Sequence, residues 1–406
     1  MPLHNIRPTT KDTHCGKQQA LISSNLKRKV LSQPSYTLHK MRQIEQKKQR
    51  QTNIEILRIT AMLLIIVSHY IYNGIRQNPL FCHFDINSIN DVVNYASLQF
   101  VSLFASTGVN CFVLITGYFL IDSTKIRGGI FKIWFQVAFY SLAISLIISQ
   151  VFDKSIPLIE YIDSISPIPT TRYWFVAKYI GLVLLSPFLA KLAMHLTAKQ
   201  HFYMLIVMLI MFFKYPFGET FATGMSLCWF IFLFFTGGYI KKYGIHPWIK
   251  KHAILLTFVA AICFFCVHAS SNLLNHIRTG AEFTIKSTAN NDLTFILSLL
   301  IFICFTQMKC DNKCLRQLSK LAPYTFGIYL CHEHPLIRPV IWGNIMPGSF
   351  SYPIIIHCIF ISAALFMVCA GIDYIRELIF KISGINNLEK KLAERIPQPF
   401  TTNKKQ

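Results

Sequence analysis

Acidic residues are scarce in this chain: 18 Asp and Glu stand against 40 Lys and Arg among 406 residues. Charged residues make up only 14% of the total, where soluble domains carry about 25%. That shortage excludes an ordinary soluble fold, whose surface needs charge to stay hydrated. No signal peptide is expected, because residues 1–50 are polar and basic without the early apolar core of such a leader. Paired cysteine ligands are lacking too. Cys310 and Cys314 form one Cys-x3-Cys, and a four-ligand zinc site needs a second pair, so no metal site is expected. Other cysteines sit in apolar runs, where cysteine packs as a small hydrophobe, and no disulfide framework is implied. No internal repeat is visible, which weighs against the inverted-repeat plan of many transporters.

What is abundant is apolar surface. Hydrophobic residues reach 53%, with 34 Phe and a mean hydropathy of +0.42. Long apolar runs recur, and runs of about 18 or more such residues read as membrane helices. The expectation is an all-α polytopic membrane protein with about ten spans. They centre on residues 54–72, 98–121, 130–151, 174–194, 202–217, 226–241, 253–269, 292–308, 321–342 and 353–380. The ninth is interrupted by Pro335 and Pro339. Residues 1–50 form a basic cytosolic extension, 51–384 the transmembrane domain, and 385–406 a cytosolic C-terminal tail.

The net charge of +22 fits either an anionic partner or the positive-inside rule. The distribution decides for the second and against nucleic acid. With the N-terminus inside, the inward loops collect Lys125, Arg127 and Lys132, then Lys191 and Lys199, then Lys241, Lys242, Lys250 and Lys251. The loop from Lys309 to Lys320 and the C-terminal region from Arg376 onward continue the pattern. The outward loops hold fewer bases, Arg338 among them, with acids such as Asp85, Asp91, Asp153 and Glu282 beside them. The expected topology is N-in and C-in, in the cell (plasma or inner) membrane.

Ionisable groups inside a membrane are costly and point to function. The first span holds Glu55, Arg58 and His69. Arg58 and His69 are eleven residues apart, about three helical turns plus 20°, so both side chains leave one face, separated by about 16 Å along the axis. Arg58, near the inner end, suits a phosphate-rich donor through a bidentate contact, or else snorkels as an interfacial charge. His69, in the outer half, suits a general base, or else sits at the outer interface. The ninth span adds His332, Glu333, His334 and Pro335 at a similar depth. Glu333 is placed to orient an imidazole, with the end of a helix at the outer interface as the alternative. His332 and His334 stand about 200° apart on a helix, so at most one faces His69. Lys178 in the fourth span meets Glu333, Asp292 or substrate, or snorkels. Tyr173 and Trp174 stack on a sugar ring or belong to an aromatic belt. Asn110 serves as a polar contact for substrate, or with Thr116 bonds neighbouring helices.

The segment from Asn53 to His69 resembles the opening helix of the acyltransferase-3 family, with its Arg-x10-His signature. The segments Gly108 to Tyr118, Tyr173 to Phe188 and Tyr324 to His332 are similar to that family's second, fourth and ninth spans, in the same order. The resemblance implies transfer of an acyl group, usually acetyl from acetyl-CoA, to hydroxyls of sugars or envelope polysaccharides. It makes Arg58 and His69 the catalytic pair. Many members carry an Arg-rich patch after the second span. Here that place holds Lys125, Arg127 and Lys132, which the resemblance implies contact the CoA phosphates with Arg58. Acyl-CoA is then a donor co-substrate, and no permanently bound cofactor is implied. The other partners are a glycan acceptor, the lipid bilayer and polysaccharide-synthesis proteins. Two rival readings use the same residues: a transporter or glycan flippase, and a structural partner in a synthesis complex.

Overall fold

The computed structural model describes residues 34–76, 88–126, 129–151, 156–165, 173–212, 224–280, 285, 292–346 and 353–400. Arg127 and the loop acids Asp85, Asp153 and Glu282 lie outside them, as do residues 1–33 of the N-terminal extension. The chain divides into two units, Met1–Gln51 and Thr52–Gln406. In the first, the described residues are helical from Pro34 onward. The second unit holds the spans and the candidate site.

Every regular element among the described residues is helical. In chain order these are α1 (Pro34–His69), a π-helical turn (Tyr70–Ile75), α2 (Ile89–Ala105), α3 (Gly108–Leu120), α4 (Gly129–Val151), α5 (Leu158–Ile165), α6 (Trp174–His195) and α7 (Ala198–Phe212). Then come α8 (Leu227–Tyr243), α9 (Pro247–Thr279), α10 (Asp292–Gln307), α11 (Lys313–Leu318), a 3-10 turn (Ser319–Tyr324), α12 (Thr325–His332), α13 (Arg338–Ile345), α14 (Ile354–Ile382) and α15 (Ile385–Glu394). Six helical stretches are long and apolar enough to cross a membrane: Thr52–Ile75, Ile89–Leu120, Gly129–Val151, Trp174–His195, Pro247–Thr279 and Ile354–Ile382. Two shorter apolar helices accompany them, Ala198–Phe212 and Leu293–Gln307. These stretches make the chain a multi-pass membrane protein, because in lipid only helices and closed barrels satisfy every backbone polar group.

Burial is graded across the bundle. The first span is enclosed on several sides, with Leu57, Ala61, Ile66 and Tyr70 fully buried. Ile254, Leu255, Phe258 and Ile262 of α9 and Ile359, Phe360 and Met367 of α14 are exposed instead. Aliphatic surface on that scale is abnormal against water and ordinary against lipid. The second span is not continuous: α2 and α3 are separated at Ser106 and Thr107, whose hydroxyls donate to the carbonyls of Ser102 and Phe104. The closest helix pair is α3 with α8. A Cβ on Gly117 would collide with the backbone of Phe234, and one on Gly237 with the carbonyl of Leu114. Small residues let the two backbones approach, the usual adhesive of membrane helices.

The ninth predicted span is interrupted before Pro335 as expected, while Pro339 lies in the first turn of the next helix and breaks nothing. The span forms a 3-10 turn, then α12, then α13, rather than one helix with a kink. Pro335 has no N–H, and its ring clashes with the carbonyl four residues back, so the helix stops at His332. Glu333 caps it outside helical geometry, at φ −100° and ψ 5°. The chain then turns through His334, whose carbonyl accepts from the backbone N–H groups of Ile337 and Arg338.

Charge placement brings a further correction. Arg376 does not belong to a basic tail. It lies inside α14, buried, and pairs with the buried Asp373 through two bonds of 2.9 and 3.0 Å. Gln136 and Tyr140 of α4 also donate to Asp373, at 3.0 and 2.9 Å. Gly327 of α12 faces the same carboxylate, which occupies the place a Cβ would take. One buried ion pair thus ties α4, α12 and α14 together. Beyond it the C-terminal region packs back on the bundle: Ile126 donates its N–H to Gln398 Oε1 at 2.9 Å, and Gln398 Nε2 donates to the Ile126 carbonyl at 3.3 Å.

Candidate active site

The regular helix of α1 ends at His69, and the next turn widens to the π form, with the Arg76 N–H bonding to the Ile71 carbonyl at 2.9 Å. Such turns are rare and recur at functional sites. Here Tyr70, buried, reaches His357 Nδ1 of α14 at 2.8 Å, and Gly74 lies close under Met346. These contacts fix the C-terminal end of α1 against α14 and the residues after α13, and with it the ring of His69.

Around that ring three groups converge. His69 Nδ1 is 3.0 Å from His332 Nε2 and 3.1 Å from Glu333 Oε2. The proton arrangement is set by the other nitrogen of His332. Its Nδ1 lies 2.6 Å from the Ile328 carbonyl, an acceptor only, so Nδ1 carries the proton. Neutral His332 therefore presents a lone pair at Nε2, and His69 Nδ1 must donate to it. Neutral His69 is left with its own lone pair on Nε2. Glu333 is 8% exposed. Its Oε1 accepts from Arg338 at 3.0 Å, whereas Oε2 has no hydrogen-bond partner, since its approach to His69 Nδ1 is off the bonding direction. The three ligand-type atoms lie within 4.8 Å of one another.

A cavity of about 280 Å³ runs beside α1 and is lined at once by Arg58, Lys132, Trp174 and His69. The shared face of Arg58 and His69 is the face that opens on it. Arg58 bonds Glu55 at 2.6 Å, keeps a third of its side chain exposed, and lies over the ring of Phe119. Between the polar ends the wall is mostly apolar, with Met62, Ile65, Phe112 and Phe175. Polar groups on the wall that sequence reasoning did not single out are Gln136, Tyr179 and Thr325. Thr116 was weighed only as a helix contact, and its hydroxyl in fact bonds the Phe112 carbonyl at 2.9 Å and Tyr179 at 3.3 Å.

Several expected site residues stand elsewhere. Asn110 is fully buried away from the cavity: its amide donates to Ser298 at 3.2 Å and accepts from the Trp229 indole at 3.0 Å. It joins α3, α8 and α10, in keeping with the alternative of a bond between neighbouring helices. Tyr173 is likewise buried, donates to the Leu330 carbonyl at 2.9 Å, and packs on His334. It braces the end of α12 rather than meeting a sugar or the bilayer surface. Lys178 is half-buried and away from the cavity lining, and the partners of Glu333 are His69 and Arg338 instead. Lys125 is exposed and outside the cavity lining. Arg338, expected only as an outer-loop charge, is the residue missed. The one available signal was its place five residues after Glu333 across a proline.

A family model described as an acyltransferase domain matches residues 51–373. Neither a curated protein nor a solved structure matches the chain.

Proposed function

The chain belongs to the acyltransferase-3 family, and from that premise we propose that it moves an acyl group, acetyl in the simplest case, from acyl-CoA to a hydroxyl of a sugar or envelope polysaccharide. The observation that carries the reading is the single cavity lined by Arg58 and Lys132 together with His69. At about 280 Å³ it falls at the low end of small-molecule pockets, roughly 300–1,000 Å³. A cavity of that size suits the thin acyl-pantetheine arm, with the nucleotide phosphates left at Arg58 and Lys132; Lys125 and Arg127 remain phosphate contacts on the family resemblance alone.

In the reaction, His69 Nε2 takes the proton of the acceptor hydroxyl as its oxygen attacks the thioester carbonyl. The C–S bond then breaks, and the CoA thiolate recovers a proton from Nε2. While Nε2 holds the proton, the imidazolium is held through Nδ1 by the His332 lone pair, and the nearby Glu333 carboxylate offsets its charge. Arg338 holds that carboxylate in place. Trp174 stands on the cavity wall where donor or acceptor passes. The same reading keeps about ten crossings with both termini inside, a plasma or inner membrane location, and polysaccharide-synthesis proteins as partners.

The test is turnover of acyl-CoA by the full-length protein in detergent, with an envelope-glycan acceptor present. Wild type is expected to release CoA and to label the glycan, while His69→Ala, with folding verified, does neither and Arg58→Ala does both only at raised acyl-CoA. Absence of wild-type turnover across common acyl-CoA donors overturns the proposal.

A further inference from the structure

We infer that His69, His332 and Glu333 form an inhibitory site for a divalent transition metal ion of the Zn²⁺ type. The inference rests on the acyltransferase reading only for its inhibitory consequence, because the site itself is built from geometry. Two imidazole nitrogens and one carboxylate oxygen converge: His69 Nδ1 lies 3.0 Å from His332 Nε2 and 3.1 Å from Glu333 Oε2. Ligands about 2.0–2.2 Å from a common tetrahedral centre stand roughly 3.3–3.5 Å apart, so displacements of a few tenths of an ångström admit the ion. The three ligand atoms all lie within 4.8 Å of one another.

Two observations independent of that spacing point to a ligand. Glu333 Oε2 is a buried oxygen aimed into the cluster without a hydrogen-bond partner. The outer contacts are those that orient metal ligands: His332 Nδ1 donates to the Ile328 carbonyl, leaving Nε2 bare, and Arg338 holds Oε1. The donor set of two nitrogens and one oxygen selects Zn²⁺ and its neighbours over Mg²⁺ or Ca²⁺, which prefer oxygen shells. Of the three ligands, His69 lines the cavity, the side from which the ion would enter.

The consequence for catalysis is a matter of proton location. A metal ion at His69 Nδ1 displaces the proton there, and the neutral ring then carries its proton on Nε2. No lone pair is left to take the acceptor's proton. Binding of the ion and catalysis by His69 are therefore mutually exclusive.

The experiment uses full-length protein in detergent, incubated with Zn²⁺ and desalted, with metal content measured by elemental analysis and Co²⁺ used as an absorbance probe. Wild type is expected to keep about one Zn²⁺ per chain. The isosteric Glu333→Gln variant is expected to bind at least about tenfold more weakly, and His332→Gln to lose the ion. A variant carrying Cys310→Ser and Cys314→Ser is expected to keep it. Monodisperse elution confirms folding, and Glu333→Gln alone decides if His332→Gln does not fold. No stoichiometric Zn²⁺, or equal retention in both site variants, overturns the site. Stoichiometric Zn²⁺ that leaves acyl-CoA turnover unchanged overturns its inhibitory role. Binding by a protein that turns over no acyl-CoA supports the site and counts against the enzyme reading alone.

Discussion

His69 and His332 are 263 residues apart in the chain, and their ring nitrogens stand 3.0 Å apart. The contact fixes which nitrogen of His69 holds the proton, because His332 is itself fixed by the Ile328 carbonyl. In the proposed reaction the orientation of His69 thus depends on a helix end that the first span cannot supply.

The two histidines should separate kinetically. His69→Ala is expected to lower kcat by about 10²–10⁴-fold, the usual worth of a positioned general base. His332→Ala leaves Nε2 of His69 in place but frees the ring to turn, which costs about 100-fold. Steady-state kinetics on folded variants checks the order, and an unaffected His332→Ala enzyme would show that the contact does not orient the base.

Arg58 should act on the donor. A charge-assisted hydrogen bond to phosphate contributes about 1.5–3 kcal/mol, so Arg58→Ala is expected to raise the KM for acyl-CoA by about 10–100-fold. Arg58→Lys keeps the charge and loses the bidentate fork, and should fall between. The comparison to make is with free acyl-pantetheine, which lacks the nucleotide phosphates. If Arg58→Ala weakens both donors equally, Arg58 does not read phosphate.

Trp174 and Asn110 offer a contrast between wall and scaffold. Trp174→Ala enlarges the cavity and is expected to change KM for donor or acceptor with little change in thermal stability. Asn110→Ala leaves the Trp229 indole without its acceptor, at a cost of about 1–3 kcal/mol, and should lower Tm while KM stays at the wild-type value. The reverse pattern would return Asn110 to the substrate.

The Asp373–Arg376 pair should be indivisible. Removing one member of a buried ion pair costs about 3–5 kcal/mol, because the other charge is left without compensation. Arg376→Met alone is therefore expected to lower Tm strongly, and Asp373→Asn combined with Arg376→Met to recover much of the loss. Thermal unfolding of wild type, Asp373→Asn, Arg376→Met and the double variant in one detergent makes the measurement, and additive losses would count against the pairing.

Contact between α3 and α8 should tolerate no bulk. Gly117→Leu drives a side chain into the Phe234 backbone, and overpacking of this kind costs about 1–3 kcal/mol. Gly129→Leu, where a Cβ meets nothing within 4 Å, is the control and should match wild type in Tm.

Whatever depends on neighbours along the chain was legible in the residues alone. Composition made this a membrane protein, and helical geometry put Arg58 and His69 on one face, since eleven residues nearly complete three turns. Pro335 announced a break. The partners those elements meet emerged only from packing in three dimensions. Pro335 sets where α12 stops, but that Glu333 and His332 both reach His69 depends on how α12 packs against α1, which no period describes. Asn110 and Tyr173 are polar residues at helical positions like any others, and only the packing of α8, α10 and α12 turned them into scaffold. Arg376 looked like one more inward base until Asp373, one helical turn away on α14, met Gln136 and Tyr140 of α4 and closed around it. Helix faces are local and periodic, so they can be read from the chain. The pairing of faces is set by close packing among distant segments, where a few ångströms separate a catalytic contact from a structural one.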